Sequence, residues 1–214
     1  MLVRGAKIGV DVYGDDIFEE VSRSEGLLSW AYEQIDLSLS TDSPELLFRH
    51  VDDVLSVLEK RHRIEPIDGV VTGAISERIC EIALIQSRVK FATPRQDWQY
   101  LADFVIQGMP HNVFVSVKSF KAKERLLAST FRYPTIGFGF FNDRAEWHYD
   151  RVCNYVRENF FAIYIPKPLY ESLHEKTRAV LNTNQNPFLR DLGSFPYDLQ
   201  AVTDSNNLID YTLL

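Results

Sequence analysis

Residues 101–118 read LADFVIQGMPHNVFVSVK, and they hold two β-rich apolar runs on either side of the turn-like hexapeptide QGMPHN. Each run contains one charged residue, Asp103 in the first and Lys118 at the end of the second. A turn containing glycine and proline between two such runs is typical of a β-hairpin. We therefore expect Asp103 and Lys118 to lie close together on neighbouring strands, where an acid beside an amine can bind a divalent metal and orient a water.

The alternation of side chains along a strand sharpens this expectation. Phe114, Ser116 and Lys118 share one face of the second strand, and Asp103 shares its face of the first strand with Val105. If the strands pair as a hairpin, the Asp103 carboxylate can lie opposite Ser116 or Lys118. The alternative structural interpretation is a plain cross-strand salt bridge at a sheet edge, which would stabilise the fold by at most about 1 kcal/mol.

The arrangement resembles the active-site motif of the PD-(D/E)xK nuclease superfamily, to which type II restriction endonucleases belong. In that family an acid on one strand is followed, after a variable gap, by an acid-x-Lys tripeptide on the next strand. Asp103 and the tripeptide Ser116-Val117-Lys118 occupy those places here, within a region of resemblance that covers residues 73–129. Ser116 departs from the pattern because it stands where the second carboxylate belongs. Some restriction enzymes of the superfamily carry Ser-x-Lys and take the missing acid from a helix.

The resemblance implies metal-dependent hydrolysis of phosphodiester bonds. A hard cation such as Mg²⁺ takes oxygen ligands and keeps several waters. The ligands implied here are the Asp103 carboxylate and the carbonyl oxygen of Val117. Lys118 would orient or help deprotonate the attacking water and stabilise the charge that builds on the phosphorane.

The carboxylate that is missing at position 116 is expected from elsewhere in the chain. Glu77 is the first candidate, because it lies near the start of the helix that precedes the Asp103 strand. Glu81, one turn further, is the second candidate, and Glu124 is the third. This helix is predicted over 75–88, with the two acids on one face and, on the other, Ile75, Ile79, Ile82, Ala83 and Gln86.

Length and composition limit the class of protein. With 214 residues and 45 % hydrophobic content, the chain can bury a substantial core, and we expect one nuclease domain over residues 1–214. No apolar run approaches the roughly eighteen residues of a membrane span, and the first residues do not read as an export signal. Cys80 and Cys153 are too few for a disulfide framework or a zinc site, so we expect reduced thiols in a cytoplasmic protein.

The charge distribution favours a nucleic-acid partner in spite of a net charge of −7. Residues 85–132 contain eight basic and three acidic residues, so this segment carries +5 and the remainder of the chain −12. A basic surface around the motif is expected if it faces phosphodiesters. We expect Lys121, Lys123 and Arg125 to contact DNA; the alternative interpretation is an ordinary solvated helix.

Hydrophobic periodicity predicts a mixed α/β fold. Strands are expected near residues 7–13, 100–107, 112–118, 135–141 and 160–165, and helices near 17–34, 43–58, 75–88, 121–131 and 168–181, with a further helix ending at Arg157. Residues 182–214 are turn-rich and are expected to wrap the surface or reach a partner. The order predicts a central mixed β-sheet flanked by helices, similar to the fold of restriction endonucleases.

Other motifs point less clearly to chemistry. The five histidines are scattered without the spacing of metal ligands. The glycines of the run GFGFF at 137–141 lack the lysine and helix start of a phosphate-binding loop, so we interpret the run as a buried strand in which they permit close approach. Asp11 resembles the first-strand aspartate of ribonuclease H-like folds, but no second and third acids follow in a convincing order.

The sequence therefore predicts a sequence-specific, Mg²⁺-dependent endonuclease of the type II restriction class that acts on double-stranded DNA. A homodimer is expected, because two-fold symmetry is the simplest way to cut both strands of a palindrome. The alternative, suggested by Ser116, is a non-catalytic nucleic-acid-binding or interaction protein that keeps the nuclease fold but has a degraded site.

Overall fold

The computed structural model describes residues 69–95, 101–118 and 133–214. Its helices and strands are, in chain order, α1 (Gly69–Gln86), β1 (Phe91–Ala92), β2 (Phe104–Ile106), β3 (Gly108–Met109), β4 (Val113–Lys118), β5 (Thr135–Gly139), α2 (Tyr149–Arg157), β6 (Phe160–Ile165), α3 (Lys167–Ser172), α4 (Glu175–Arg178), β7 (Leu189–Asp191), α5 (Phe195–Ala201) and β8 (Ile209–Asp210). The elements predicted near 7–13, 17–34, 43–58 and 121–131 lie outside the described residues. No helix within the described ranges is both long and apolar enough to cross a membrane.

Six strands form one mixed sheet in the order β1-β2-β4-β5-β6-β7. The neighbours β1, β2 and β4 are antiparallel, whereas β4, β5, β6 and β7 run parallel to one another. β3 and β8 pair in a separate two-stranded parallel sheet. The predicted hairpin is present as the β2–β4 pair, and the predicted mixed sheet with helices beside it is confirmed.

Helices cover both faces of the parallel half of the sheet, as such sheets require. Ile163 lies on one face, in a buried cluster with residues of α2 and α3 that include Val152, Tyr155 and Leu169. Tyr164, the next residue of β6, points to the opposite face, where its ring lies 4.8 Å from the ring of Phe195 at the start of α5. The alternation along β6 thus decides which helix packs on which face.

The segment 182–214, which was expected to wrap the surface or reach a partner, contributes a strand and buried side chains to the fold. Its strand β7 extends the sheet by pairing with β6, and it buries apolar side chains that include Phe188, Leu192 and Phe195. Asn182 holds the turn before β7, because its side-chain amide donates to the Phe161 carbonyl and its Oδ1 accepts from the backbone amides of Asn184 and Asn186. The segment is therefore part of the core.

Two predicted helices have different bounds in the structure. α1 begins at Gly69 and ends at Gln86, after which Arg88 adopts a left-handed conformation with φ 59°. Gln86 is exposed, although the periodicity placed it on the same face as Ile79 and Ile82. The helix predicted over 168–181 is interrupted, because Leu173 and His174 are extended, and the Nδ1 atom of His174 then caps α4 by accepting from the Lys176 amide.

The chain divides into two compact units, Met1–Ile82 and Ala83–Leu214. Residues 69–82 of α1 are the described part of the first unit, and the whole six-stranded sheet belongs to the second. A compact unit is not necessarily an independently folding domain. The single nuclease domain over residues 1–214 stays a prediction.

Strand β5 is fully buried, and its glycines permit the close approach that the sequence predicted. A Cβ atom on Gly139 would lie 2.8 Å from the carbonyl oxygen of Lys118 and would overlap the Phe141 ring. Only glycine fits between the neighbouring backbone and this ring without displacing one of them.

We predict that Gly139→Ala lowers the free energy of unfolding by about 1–3 kcal/mol, the usual range for overpacking a dense core. Gly193→Ala is the matched control, because the nearest atom to its added Cβ, Oδ1 of Asp191, is 3.6 Å away. Urea denaturation of both variants measures the difference. Equal stability of the two would contradict the close packing of β5 against Lys118.

Candidate active site

The candidate site forms where β2 stops pairing with β4. The last partners in register are Phe104 and Val115, and the Asp103 amide donates to the Val115 carbonyl at 3.0 Å. Beyond this point the Asp103 side chain takes over from the backbone, because its Oδ2 atom accepts the Val117 amide at 2.5 Å. The β4 backbone therefore fixes the orientation of the carboxylate.

The ammonium group of Lys118 lies at the same strand end. Its Nζ atom donates to the Val117 carbonyl at 2.7 Å and to Oδ2 of Asp103 at 3.5 Å. Both side chains are largely enclosed, with 21 % of the Lys118 side chain and 20 % of the Asp103 side chain exposed. The structure thus brings Asp103, Val117 and Lys118 together. The cluster contains the cross-strand salt bridge of the alternative interpretation, but it also adds a carbonyl oxygen to the same cation.

Ser116 lies in register with Gly137 of β5 and is 1 % exposed. Lys118 is likewise in register with Gly139. Because both partners are glycines, β5 has no side chain beside Ser116 or Lys118 on this face of the sheet. Ser116, which stands where the resembled motif has its second carboxylate, is therefore a buried, uncharged residue. Its role in the site stays a prediction.

The candidate acids on α1 have different surroundings. Glu81 is half-buried and forms an ion pair with Arg78 at 2.6 Å, whereas Glu77 is exposed. Both belong to the unit Met1–Ile82, whereas Asp103 and Lys118 belong to the unit Ala83–Leu214. Their assignment as metal ligands stays a prediction. Four further predicted residues lie outside the described ranges: Lys121, Lys123, Glu124 and Arg125.

The donor set fits the protein's share of a Mg²⁺ site. Within residues 69–95, 101–118 and 133–214, no three His, Cys, Asp or Glu side chains are grouped so that they could hold a metal ion. However, Oδ2 of Asp103 and the Val117 carbonyl oxygen both contact one cationic group, the Lys118 ammonium. Mg²⁺ is commonly held by one or two carboxylates, substrate phosphates and several waters, so these two oxygens would form part of such a site.

The sequence did not predict the contribution of the Val117 amide, which orients the carboxylate. It also did not predict that the Phe140 amide holds the Lys118 carbonyl at 3.2 Å and so anchors the end of β4 to β5. A polar residue immediately before a short strand is the available signal for the first contact. Nothing local in the sequence indicates the second, because it depends on which strands become neighbours.

Another partly buried acid, Asp198, has a different environment. Its Oδ2 atom accepts from the Tyr164 hydroxyl at 3.0 Å, from Arg190 at 2.8 Å and from Ser194 at 3.1 Å. Burial, reinforced by the charge of Asp198, raises the pKa of Tyr164 well above its ordinary value, so the hydroxyl remains a donor. These contacts fasten α5 to β6 and β7, which is a structural role.

Comparison with known proteins finds similarity at the level of structure. No protein-family model matches the chain, and no curated protein sequence matches it. Among solved structures, the chain is similar to restriction endonuclease PspGI in a complex with substrate DNA, with a TM-score of 0.50 and 14 % sequence identity. The similarity covers 86 % of this chain and 90 % of that one. At this level of identity the likeness concerns the fold alone, and the fold is restriction-endonuclease-like.

Proposed function

We propose that this protein is a Mg²⁺-dependent endonuclease of the restriction type that hydrolyses phosphodiester bonds in double-stranded DNA. The observation that carries the proposal is the cluster at the end of the β2–β4 hairpin, where Asp103, the Val117 carbonyl and Lys118 converge. The restriction-endonuclease-like fold around this cluster supports the same chemistry. A fold by itself does not imply an activity, so the cluster is the decisive feature.

In the proposed mechanism Asp103 is the fixed anionic ligand. The Val117 amide holds its Oδ2 atom, so the carboxylate does not need to reorganise when it binds a cation. The Val117 carbonyl supplies a second oxygen from the same strand end. A divalent cation bound there would polarise the phosphate and neutralise charge that develops during hydrolysis.

Lys118 has the second role. Its flexible stem and ammonium group can orient the attacking water and donate hydrogen bonds to the oxygens on which negative charge builds. Lys118 is suited to this role because its backbone is anchored to β5 while its side chain reaches the oxygens of the cluster. Misplacement of such a group by about 1 Å can lower the rate by about 10²-fold.

The proposal extends to the partner and the assembly. The basic segment 85–132 would face the phosphates of duplex DNA, with Lys121, Lys123 and Arg125 among the contacts. A cytoplasmic homodimer that recognises a specific palindromic sequence would place one cluster on each DNA strand.

One observation favours a second candidate function. Ser116 is a buried neutral residue where a catalytic carboxylate would stand, and the described residues contain no group of three acids. A protein with this site could bind nucleic acid without cleaving it. The two candidates differ in one result: the second predicts DNA binding with no Mg²⁺-dependent cleavage by the wild-type protein.

We predict that Asp103→Asn and Lys118→Ala each reduce DNA cleavage by about 10²-fold or more, because each removes a charge that acts on the transition state. The asparagine retains an oxygen acceptor for the Val117 amide, so the hairpin end keeps its hydrogen bond. Single-turnover cleavage rates and DNA binding are measured for each variant. Binding is expected to change little.

Asp198→Asn is the matched control for the acid. Asp198 is also a partly buried, ion-paired aspartate, but its partners fasten α5 to the sheet. This variant is expected to lose stability while the folded protein keeps a cleavage rate within a few-fold of wild type. Full activity in Asp103→Asn or Lys118→Ala would refute the site assignment.

We predict that replacing Lys121, Lys123 and Arg125 together by glutamine weakens binding to all DNA sequences. The slope of log affinity against log salt should also become shallower by about 0.9 for each phosphate that the variant no longer neutralises. A control variant removes three exposed cations outside the basic segment, Arg157, Lys167 and Lys176. The same salt slope in both variants and in wild type would show that the predicted DNA contacts are absent.

We predict that Glu77→Gln raises the Mg²⁺ concentration needed for half-maximal cleavage, whereas Glu81→Gln does so less. The reason is that Glu77 lies nearer the start of the helix, where the resemblance places the glutamate; the Glu81 carboxylate, one turn further on, forms an ion pair with Arg78. Loss of that half-exposed pair should cost at most about 1 kcal/mol of stability. The opposite ranking would move the ligand one turn along α1. If neither change has an effect, Ser116→Asp tests whether an acid beside Lys118 increases cleavage.

A further inference from the structure

The two backbone polar groups of Val117 have unusual partners for a strand residue. The N–H and C=O of one residue point to the same side of a strand, and here that side lies past the end of β2. The Asp103 carboxylate accepts the N–H, and the Lys118 ammonium donates to the C=O at 2.7 Å. An acid and an amine thus replace the missing strand, as required for enclosed backbone groups.

The position of the ammonium group is set more by the carbonyl than by the carboxylate. Nζ of Lys118 lies 2.7 Å from the Val117 oxygen and 3.5 Å from Oδ2 of Asp103. The Val117 carbonyl and the Asp103 carboxylate are also the two groups that the proposed function assigns to a divalent cation. One cationic group already lies against both of them.

We propose that the Lys118 ammonium acts as an internal cation at the metal site, and that a divalent ion binds there only in exchange for it. This inference rests on the metal site of the proposed function and concerns how that site is regulated. Lys118 leaves the Val117 carbonyl and Asp103 as the ion arrives. The same step frees the ammonium to contact water and phosphate, so Lys118 becomes available for its catalytic role only when the ion is bound.

The contacts of the cluster are suited to such an exchange. Oδ2 of Asp103 keeps the hydrogen bond from the Val117 backbone when the lysine leaves, so the ligand stays oriented. Oδ1 accepts no hydrogen bond from the residues that the structure describes and remains for the incoming ion. The lysine side chain has a flexible stem of four methylene groups and can move without a change in the backbone.

Direct Mn²⁺ titration tests the exchange. Mn²⁺ prefers the same carboxylate and carbonyl oxygens as Mg²⁺. Isothermal titration calorimetry without DNA gives its affinity for wild type, for Lys118→Met and for Asp103→Asn. If Lys118 holds the oxygens nine-tenths of the time, its removal should tighten Mn²⁺ binding by about tenfold. Asp103→Asn should abolish binding.

Two further variants separate competition from a general loss of charge. Lys167→Met removes an exposed lysine of α3 and should leave the Mn²⁺ affinity at the wild-type value. Lys118→Arg keeps a cation at the site and should also remain near the wild-type affinity. If Lys118→Met does not fold, Lys118→Gln replaces it, because glutamine is polar but carries no positive charge.

Thermal melting gives a second measurement. Loss of the ammonium leaves the Asp103 carboxylate without its cation, so saturating Mn²⁺ should raise the melting temperature more in Lys118→Met than in wild type. Unchanged, weaker or absent Mn²⁺ binding in Lys118→Met and Lys118→Gln would overturn the exchange. If the wild-type protein cleaves DNA but Mn²⁺ binding is not tighter in these variants, only the exchange is refuted and the proposed function stands. Tighter Mn²⁺ binding without any DNA cleavage would refute only the proposed function.

Discussion

The hydrogen bond from the Val117 amide to the Asp103 carboxylate connects the framework of this protein to its candidate chemistry. An enclosed backbone group needs a partner, and at the end of the hairpin the chain provides an ionised side chain where another strand would otherwise pair. The requirement is structural, but its result is an oriented carboxylate. Because the donor is backbone, the carboxylate orientation depends on the sheet more than on side-chain packing around it.

The neighbouring strand imposes the second constraint. β5 approaches β4 closely at Gly139, and the Phe140 amide binds the Lys118 carbonyl. Lys118 is thus held on its backbone side by β5, while its side chain turns to the oxygens at the hairpin end. Helices pack on both faces of the parallel strands behind this point, so the site lies at the edge of a dense core. Rigid support of this kind suits a group that must be positioned to within a fraction of an ångström.

Local patterns in the sequence predicted the hairpin and the mixed sheet. Each of the two β-rich runs holds one charge, and the side chains alternate along each strand. These two patterns were sufficient to predict that Asp103 and Lys118 lie close together. Long-range pairing was not predictable in the same way. Strand β7 was missed because its partner is β6 and because the Asn182 amide bonds that organise its approach join distant residues. The further acid that the resemblance implies is similarly undetermined by local pattern, since its candidates lie in other segments of the chain.

The proposed function requires the cluster at the end of β4 to hydrolyse phosphodiester bonds. The most direct measurement is the incubation of purified wild-type protein with long duplex DNA, with Mg²⁺ or with EDTA, followed by separation of the products by size. We expect a reproducible set of discrete fragments that appears with Mg²⁺ and is absent with EDTA. Intact DNA under both conditions, from a folded protein that binds the duplex, would contradict it.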